Sequence, residues 1–188
     1  MSPPIILASA SPQRRALLAA LGLDFEVRAP GIDEETEGEP HEVVGRNAIR
    51  KAEAIAADAD DAIVIGGDTE VVIDGDVLGQ AADADEARAH LERLSGAEHQ
   101  VLGGLAVLEP GSELRTGVEV STVAFRELQP DLIAVYLASG EWRGRAGAYA
   151  IQGLGSALID GVRGDVSNVI GLPIPLLIRL APELVRRN

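Results

Sequence analysis

The stretch IILASASPQRRALLAALG, residues 5–22, contains the clearest indication of the fold class. Its initial apolar run predicts a buried strand, and the spacing after Pro12 predicts a helix over 13–21 that ends at Gly22. Ser11 is a natural N-cap because its hydroxyl can accept a hydrogen bond from a free backbone N–H group. A strand, a serine-rich turn and a helix in direct succession are typical of α/β proteins.

Strands and helices alternate in the same way along the rest of the chain. AIVIGGD is a continuous apolar run that predicts a buried strand ending at Asp68, and VVIDGDVL predicts a hairpin with an Asp-Gly turn. The sequence therefore predicts an α/β fold with a mixed, twisted sheet flanked by helices. The other predicted elements are strands over 24–28, 100–108 and 117–125, helices over 43–59, 83–96 and 130–139, a loop plus strand over 144–161, and a last helix after GLPIP at 171–175.

Length and composition narrow the classes of protein that fit. The 188 residues, 46% of them hydrophobic, predict one domain, 1–188, with two lobes. The lack of cysteine excludes disulfides and thiol catalysis, and the three scattered histidines lack metal-ligand spacing. A net charge of −14 argues against a nucleic-acid polymer as partner. Because no apolar run is long enough for a membrane span or a signal peptide, we expect a soluble, cytoplasmic protein.

Two arginines stand in the first turn of the first predicted helix, where the helix dipole disfavours cations. A bound anion would account for them. Backbone N–H groups, the hydroxyls of Ser9 and Ser11, and the Arg14 guanidinium together form a donor set suited to a phosphate. In the alternative interpretation Ser11 is only an N-cap, and Arg14 and Arg15 are both solvated. The spacing alone leaves both interpretations open.

A phosphate site raises the question of a metal ion. Asp68 stands at the predicted end of a buried strand, where ligands bind in α/β folds, and Glu34 and Glu35 lie in a predicted loop. Mg²⁺ binds to one or two such carboxylates and to substrate phosphates, and Lys51 on a predicted helix could offset phosphoryl charge. From the residues alone Asp68 is the strongest candidate. Lys51 could equally form an exposed ion pair, and the residues favour a solvated Glu35.

Several segments, in this order, resemble the Maf (septum formation protein) family of nucleoside triphosphate pyrophosphatases. They span the chain from Leu7 to Pro173 and read LASASPQRRALL, GIDEE, NAIRKAEAI, IGGDTEVVIDGDVLG, AGAYAIQGLGS and SNVIGLP. The resemblance implies a mixed α/β sheet folded around a deep cleft, similar to inosine triphosphatases, and a homodimer as one arrangement.

The resemblance also implies roles for individual residues. Asp68 matches the catalytic proton acceptor, Lys51 the helix lysine and Glu34 the loop acid, which makes these three the catalytic set. Asp68 and Glu34 are then the expected ligands of a divalent cation, Mg²⁺ or Mn²⁺. Ser9 and Arg14 match the phosphate-binding residues of the SPRR turn.

Substrate choice is the point at which the chain departs from the family pattern. Thr69 and Gln152 match the subgroup that acts on dTTP and UTP. However, Gln13 replaces the first arginine of SPRR, and Gln80 replaces the lysine of the GKP motif. Gln152 could contact a pyrimidine edge or only satisfy loop backbone. The expected substrate-binding residues are Ser9, Ser11, Gln13, Arg14, Thr69, Gln80 and Gln152.

The expected activity is hydrolysis of nucleoside triphosphates to monophosphates and pyrophosphate, either leaning to dTTP and UTP or broad, as in the removal of non-standard nucleotides. Two alternatives stay open. One is a pyrophosphatase for 7-methyl-GTP or another modified nucleotide. The other is a nucleotide-binding regulator of cell division without significant catalysis.

Overall fold

A computed structural model describes residues 3–184 and has the predicted mixed α/β architecture. Among these residues no helix combines the length and the apolar character needed to cross a membrane. The strands are β1 (Ile5–Ala8), β2 (Glu26–Val27), β3 (Ile63–Ile73), β4 (Asp76–Leu78), β5 (Glu98–Leu108), β6 (Arg115–Phe125) and β7 (Ile159–Arg163). The helices are α1 (Pro12–Ala19), α2 (Pro40–Ala56), α3 (Ala84–Leu94), α4 (Pro130–Ser139), α5 (Val166–Ile170) and α6 (Ile174–Leu180), with a 3₁₀ helix at Gly153–Leu158.

The strands form one mixed sheet in the order β2-β1-β3-β5-β6-β7, and β4 pairs with β3. β1 is parallel to both β2 and β3, with Ala8 opposite Gly66, whereas β3–β4 and β6–β7 are antiparallel. The predicted Asp-Gly turn connects β3 to β4, and both of its residues, Asp74 and Gly75, have positive φ angles.

Residue contacts divide the chain into two compact units. Within the described range, the first unit contains 3–69, 103–119 and 171–184, and the second contains 70–102 and 120–170. Each unit has its own apolar core. In the first unit alternate residues of β1 face two different clusters, so both faces of the strand are buried, as expected for a parallel strand.

Helix α2 lies unusually close to the sheet of the first unit. The cluster beneath it consists largely of alanine, including Ala48 and Ala52. A Cβ atom on Gly66 of β3 would lie 2.3 Å from the Ala48 carbonyl oxygen, and one on Gly104 of β5 would lie 2.2 Å from that of Val44. The close approach of α2 to two strands therefore requires glycine at both positions.

Some predicted boundaries are wrong. The prediction that a strand ends at Asp68 fails because β3 continues to Ile73, which leaves Asp68 in mid-strand. Helix α2 begins at Pro40, three residues before the predicted start, since proline is favourable in the first turn. The short helix α5 and the 3₁₀ helix were not predicted. By contrast, α4 has the predicted bounds.

Candidate active site

The turn before α1 has the predicted local geometry. Ser11 is the N-cap of α1, and its hydroxyl accepts a hydrogen bond from the Arg14 backbone N–H at 3.4 Å. The same hydroxyl donates to the side-chain oxygen of Gln13 at 2.9 Å. Arg15 is exposed, as the solvated interpretation requires, but Arg14 is buried. The two adjacent arginines therefore occupy different environments.

The guanidinium group of Arg14 donates to three neutral oxygen atoms. Its Nε contacts the carbonyl of Gly171 at 2.9 Å, Nη1 the hydroxyl of Ser9 at 3.1 Å, and Nη2 the hydroxyl of Thr69 at 3.0 Å. Burial lowers the pKa of Arg14, and the negative charges of Asp68 and Glu34 act in the opposite direction. An arginine stays protonated in such surroundings. The site thus contains a fixed, largely dehydrated cation whose direct partners are uncharged.

A second charged group lies beside it. The Nζ atom of Lys51, on α2, donates to Oδ1 of Asp68 at 2.7 Å and also to a carboxylate oxygen of Glu34. The side chains of Lys51 and Asp68 are each 7% exposed, whereas that of Glu34 is 56% exposed. Lys51 and Asp68 therefore form a buried ion pair, and the solvent-facing carboxylate of Glu34 binds to the same ammonium group. The three predicted catalytic residues thus lie together.

The sequence interpretation did not include Asn47 in the site. This residue of α2 is buried and donates from Nδ2 to Oδ2 of Asp68 at 3.1 Å. Its position four residues before Lys51 places both side chains on one helix face, which is the signal that could have revealed it. Glu35 instead pairs with Arg46 and Arg50 at the surface, in line with the solvated interpretation.

Two predicted substrate-binding residues belong to the second unit. Gln80 forms an isolated antiparallel bridge with Ala146, at the start of the loop that leads to Gln152. Gln152 is exposed, precedes the 3₁₀ helix and makes no side-chain capping hydrogen bond there. Its side chain therefore does not satisfy the start of that helix. Tyr149 is buried in the core.

Hydrogen bonds hold the loop that carries Gln152. The hydroxyl of Tyr136 accepts from the backbone N–H of Ala150 at 3.0 Å. The carboxylate of Glu141 accepts from the N–H groups of Leu154 and Gly155, each at 3.1 Å. The loop is thus fixed on both sides of Gln152.

The donor set places limits on a metal site. Among residues 3–184 no group of three or more His, Cys, Asp or Glu side chains could enclose a metal ion. The two carboxylates on Lys51, those of Glu34 and Asp68, match an ion that takes one or two protein carboxylates and completes its shell with water and phosphate oxygens. The residues fit Mg²⁺ shared with a substrate, and they do not form a closed cage.

Comparisons with known proteins identify the family and the fold of this chain. The profile of the Maf-like protein family matches residues 4–184. The dTTP/UTP pyrophosphatase of Dictyoglomus thermophilum is 43% identical, over 98% of this chain and 97% of that protein. The protein of the same description from Pelotomaculum thermopropionicum is 46% identical, over 92% of each chain. The solved structure of the Staphylococcus aureus Ham1 protein aligns over 98% of this chain and 93% of that chain, with 18% identity and a TM-score of 0.52, a likeness of fold alone.

Proposed function

The chain belongs to the Maf family, and from that membership and the site geometry we propose that it hydrolyses nucleoside triphosphates to monophosphates and pyrophosphate. The observation that carries the proposal is the pair of buried cations, Arg14 and Lys51, with Asp68 hydrogen-bonded to the second. The direct hydrogen-bond partners of Arg14 are uncharged, and a bound polyphosphate would supply the negative charge that pairs with its guanidinium group.

We assign the roles as follows. Asp68 orients and deprotonates the attacking water, since each of its oxygens keeps a lone pair beyond those bound by Lys51 and Asn47. Lys51 and Arg14 stabilise the charge that develops as the α–β phosphoanhydride bond breaks and pyrophosphate departs. Glu34 and Asp68 would hold a divalent cation, which supplies neutralisation of phosphate charge when bound.

For substrate class we propose a preference for dTTP and UTP. The relatives described as dTTP/UTP pyrophosphatases support this, as does the presence of Thr69 and Gln152. Thr69 donates to the Gly171 carbonyl at 3.4 Å and accepts from Arg14 at 3.0 Å, so it lies directly beside the proposed phosphate-binding arginine. Gln13 and Gln80 carry no charge, and we expect them to broaden the preference toward other bases.

The test measures pyrophosphate release by the purified full chain with Mg²⁺ over dTTP, UTP, CTP, dATP, GTP and 7-methyl-GTP. We expect the highest kcat/KM for dTTP and UTP. Release confined to 7-methyl-GTP would favour the modified-nucleotide alternative. Tight binding without release from any nucleotide would refute the enzyme and favour the regulator.

Three variants locate the activity in the site. Asp68→Asn should lower kcat by roughly 10²-fold or more if Asp68 is the general base. Arg14→Met should lower kcat/KM by about 10²-fold, because it removes a charge-assisted phosphate contact. Arg15→Met is the matched control. It alters the exposed neighbour in the same turn and should change kcat/KM by less than about 2-fold.

A further inference from the structure

Asn47 is a buried polar residue in the middle of α2, only 2% exposed. Asparagine is a poor helix former, and burying its amide is costly unless the amide is hydrogen-bonded. Packing alone would be served better by alanine or leucine at this position. The residue must therefore be understood from the hydrogen bonds that it makes.

The amide of Asn47 contacts two different parts of the site. Its Oδ1 accepts from the backbone N–H of Glu35 at 2.8 Å, and its Nδ2 donates to the carbonyl of the same residue at 2.9 Å. This paired contact fixes the loop that carries Glu34. Nδ2 also donates to Oδ2 of Asp68 at 3.1 Å. One side chain thus connects the Glu34 loop to the central carboxylate.

The two contacts on Asp68 are complementary. Lys51 binds Oδ1 and Asn47 binds Oδ2, and both come from the same helix, four residues apart. A carboxylate held at one oxygen can still rotate about its Cβ–Cγ bond. Contact at the second oxygen prevents that rotation and sets the plane in which the remaining lone pairs point.

We propose that Asn47 is a positioning residue that fixes the carboxylate plane of Asp68 and the distance of Glu34 from it. The inference rests on the proposed hydrolase function. Its catalytic consequence follows from geometry, since a small misplacement of a reacting group costs orders of magnitude in rate. The amide of Asn47 acts through its contacts with Asp68 and with the Glu35 backbone.

The kinetic test compares Asn47→Asp with Arg46→Ala. Asn47→Asp keeps the side-chain shape and removes the amide group that donates to Asp68 and to the Glu35 carbonyl. Arg46→Ala also loosens this loop, because Arg46 donates to the Glu35 carboxylate at 2.7 Å and to the Glu37 carbonyl at 3.1 Å. The substitution leaves the hydrogen bonds of Asp68 in place. We expect Asn47→Asp to lower kcat by about 10- to 100-fold with KM within about 3-fold, and Arg46→Ala to change kcat by less than about 3-fold. Equal losses in the two variants, or unchanged kcat in Asn47→Asp, would overturn the proposal.

A second measurement needs no activity. Asn47→Asp places two carboxylates opposite each other in a buried site, and we expect Tm in EDTA to fall by about 5–10 °C. Adding Asp68→Asn reverses donor and acceptor across the same contact, so the double variant should regain at least half of the lost Tm. A double variant no more stable than Asn47→Asp would refute the contact. Failure of the unmodified chain to release pyrophosphate would instead refute the proposed function, and the Tm comparison would still decide the contact.

Discussion

Replacing Gly66 by alanine should separate α2 from β3 and thereby disrupt the Lys51–Asp68 pair. The backbone at Gly66 has no positive φ angle, so alanine is conformationally permitted and only the contacts of the new methyl group matter. Those contacts are severe. The Cβ would lie 2.3 Å from the Ala48 carbonyl oxygen and 2.8 Å from the Ala52 backbone nitrogen. Both atoms belong to the backbone of α2, which cannot rotate away as a side chain can.

The required displacement follows from these distances. Carbon–oxygen contacts are normally about 3.3 Å or longer, so α2 must move by about 1 Å at Ala48. Lys51 is three residues further along the same helix, and its 2.7 Å contact with Asp68 would lengthen by a comparable amount. Overpacking of this kind costs about 1–3 kcal/mol, which corresponds to a fall in Tm of roughly 3–10 °C in a chain of this length. A shift of about 1 Å in a catalytic group costs about 10²-fold in rate.

The assay measures kcat/KM for dTTP and Tm for Gly66→Ala beside Gly161→Ala. Gly161 is also a strand glycine, in β7, and a Cβ there would meet no atom within 4 Å. The control should therefore retain kcat/KM and Tm within about 2-fold and 2 °C. If Gly66→Ala matched the control in both quantities, the reasoning that the close approach of α2 aligns Lys51 with Asp68 would be refuted.

Two further predictions concern the second unit. Burial lowers the pKa of His99 to about 4, whereas the unfolded chain has the ordinary value of 6.5. Between these values only the unfolded state binds the proton. The contribution of neutral His99 to the free energy of unfolding should therefore be fully present above pH 6.5, and the free energy of unfolding should fall by up to about 3 kcal/mol as the pH drops to 4. Urea titrations should show a smaller fall in His99→Phe, and an equal fall would contradict the assignment. Tyr136→Phe should leave the N–H of Ala150 unpaired and cost about 1–3 kcal/mol, measured by urea denaturation. If Gln152 selects the base, Tyr136→Phe should also lower the ratio of kcat/KM for dTTP to kcat/KM for dATP. An unchanged ratio would show that the loop does not need the hydrogen bond from Ala150 to Tyr136.

The local features that the sequence predicted correctly depend on neighbouring residues. Ser11 caps α1 because its hydroxyl reaches the N–H of Arg14 three residues later, and the Asp-Gly turn closes its hairpin within the residues that form it. By contrast, the continuation of β3 through Asp68 depends on its pairing with other strands on both sides of that residue. β3 pairs with β1 up to Gly66 and with β4 from Val71 onward, so a polar residue between these segments does not terminate the strand.

Asn47 was missed for a similar reason. Its helical spacing from Lys51 is visible in the sequence, but the same spacing occurs on every solvated helix face. What distinguishes this face is the rotation of α2 relative to β3, which depends on the absence of side chains at Gly66 and Gly104. Glycine within a strand can mark a close approach, and the pattern does not name the element that approaches.

Arg14 shows how much of a residue's role lies outside the reach of its sequence pattern. The cation at a helix N-terminus predicts an anion site, and in the structure its guanidinium extends to oxygens of Gly171, Ser9 and Thr69 rather than to the helix end. These contacts use three of the five N–H donors of an arginine and leave two, one on each terminal nitrogen. Because the three bonds fix the plane of the group, the remaining donors point in fixed directions, as recognition of a phosphate requires. Lysine, with a single rotating ammonium group, could not make the three contacts and still present two oriented donors. The identity of this residue is therefore explained by its contacts with Thr69 and Gly171, which lie far along the chain and which no spacing in the sequence reveals.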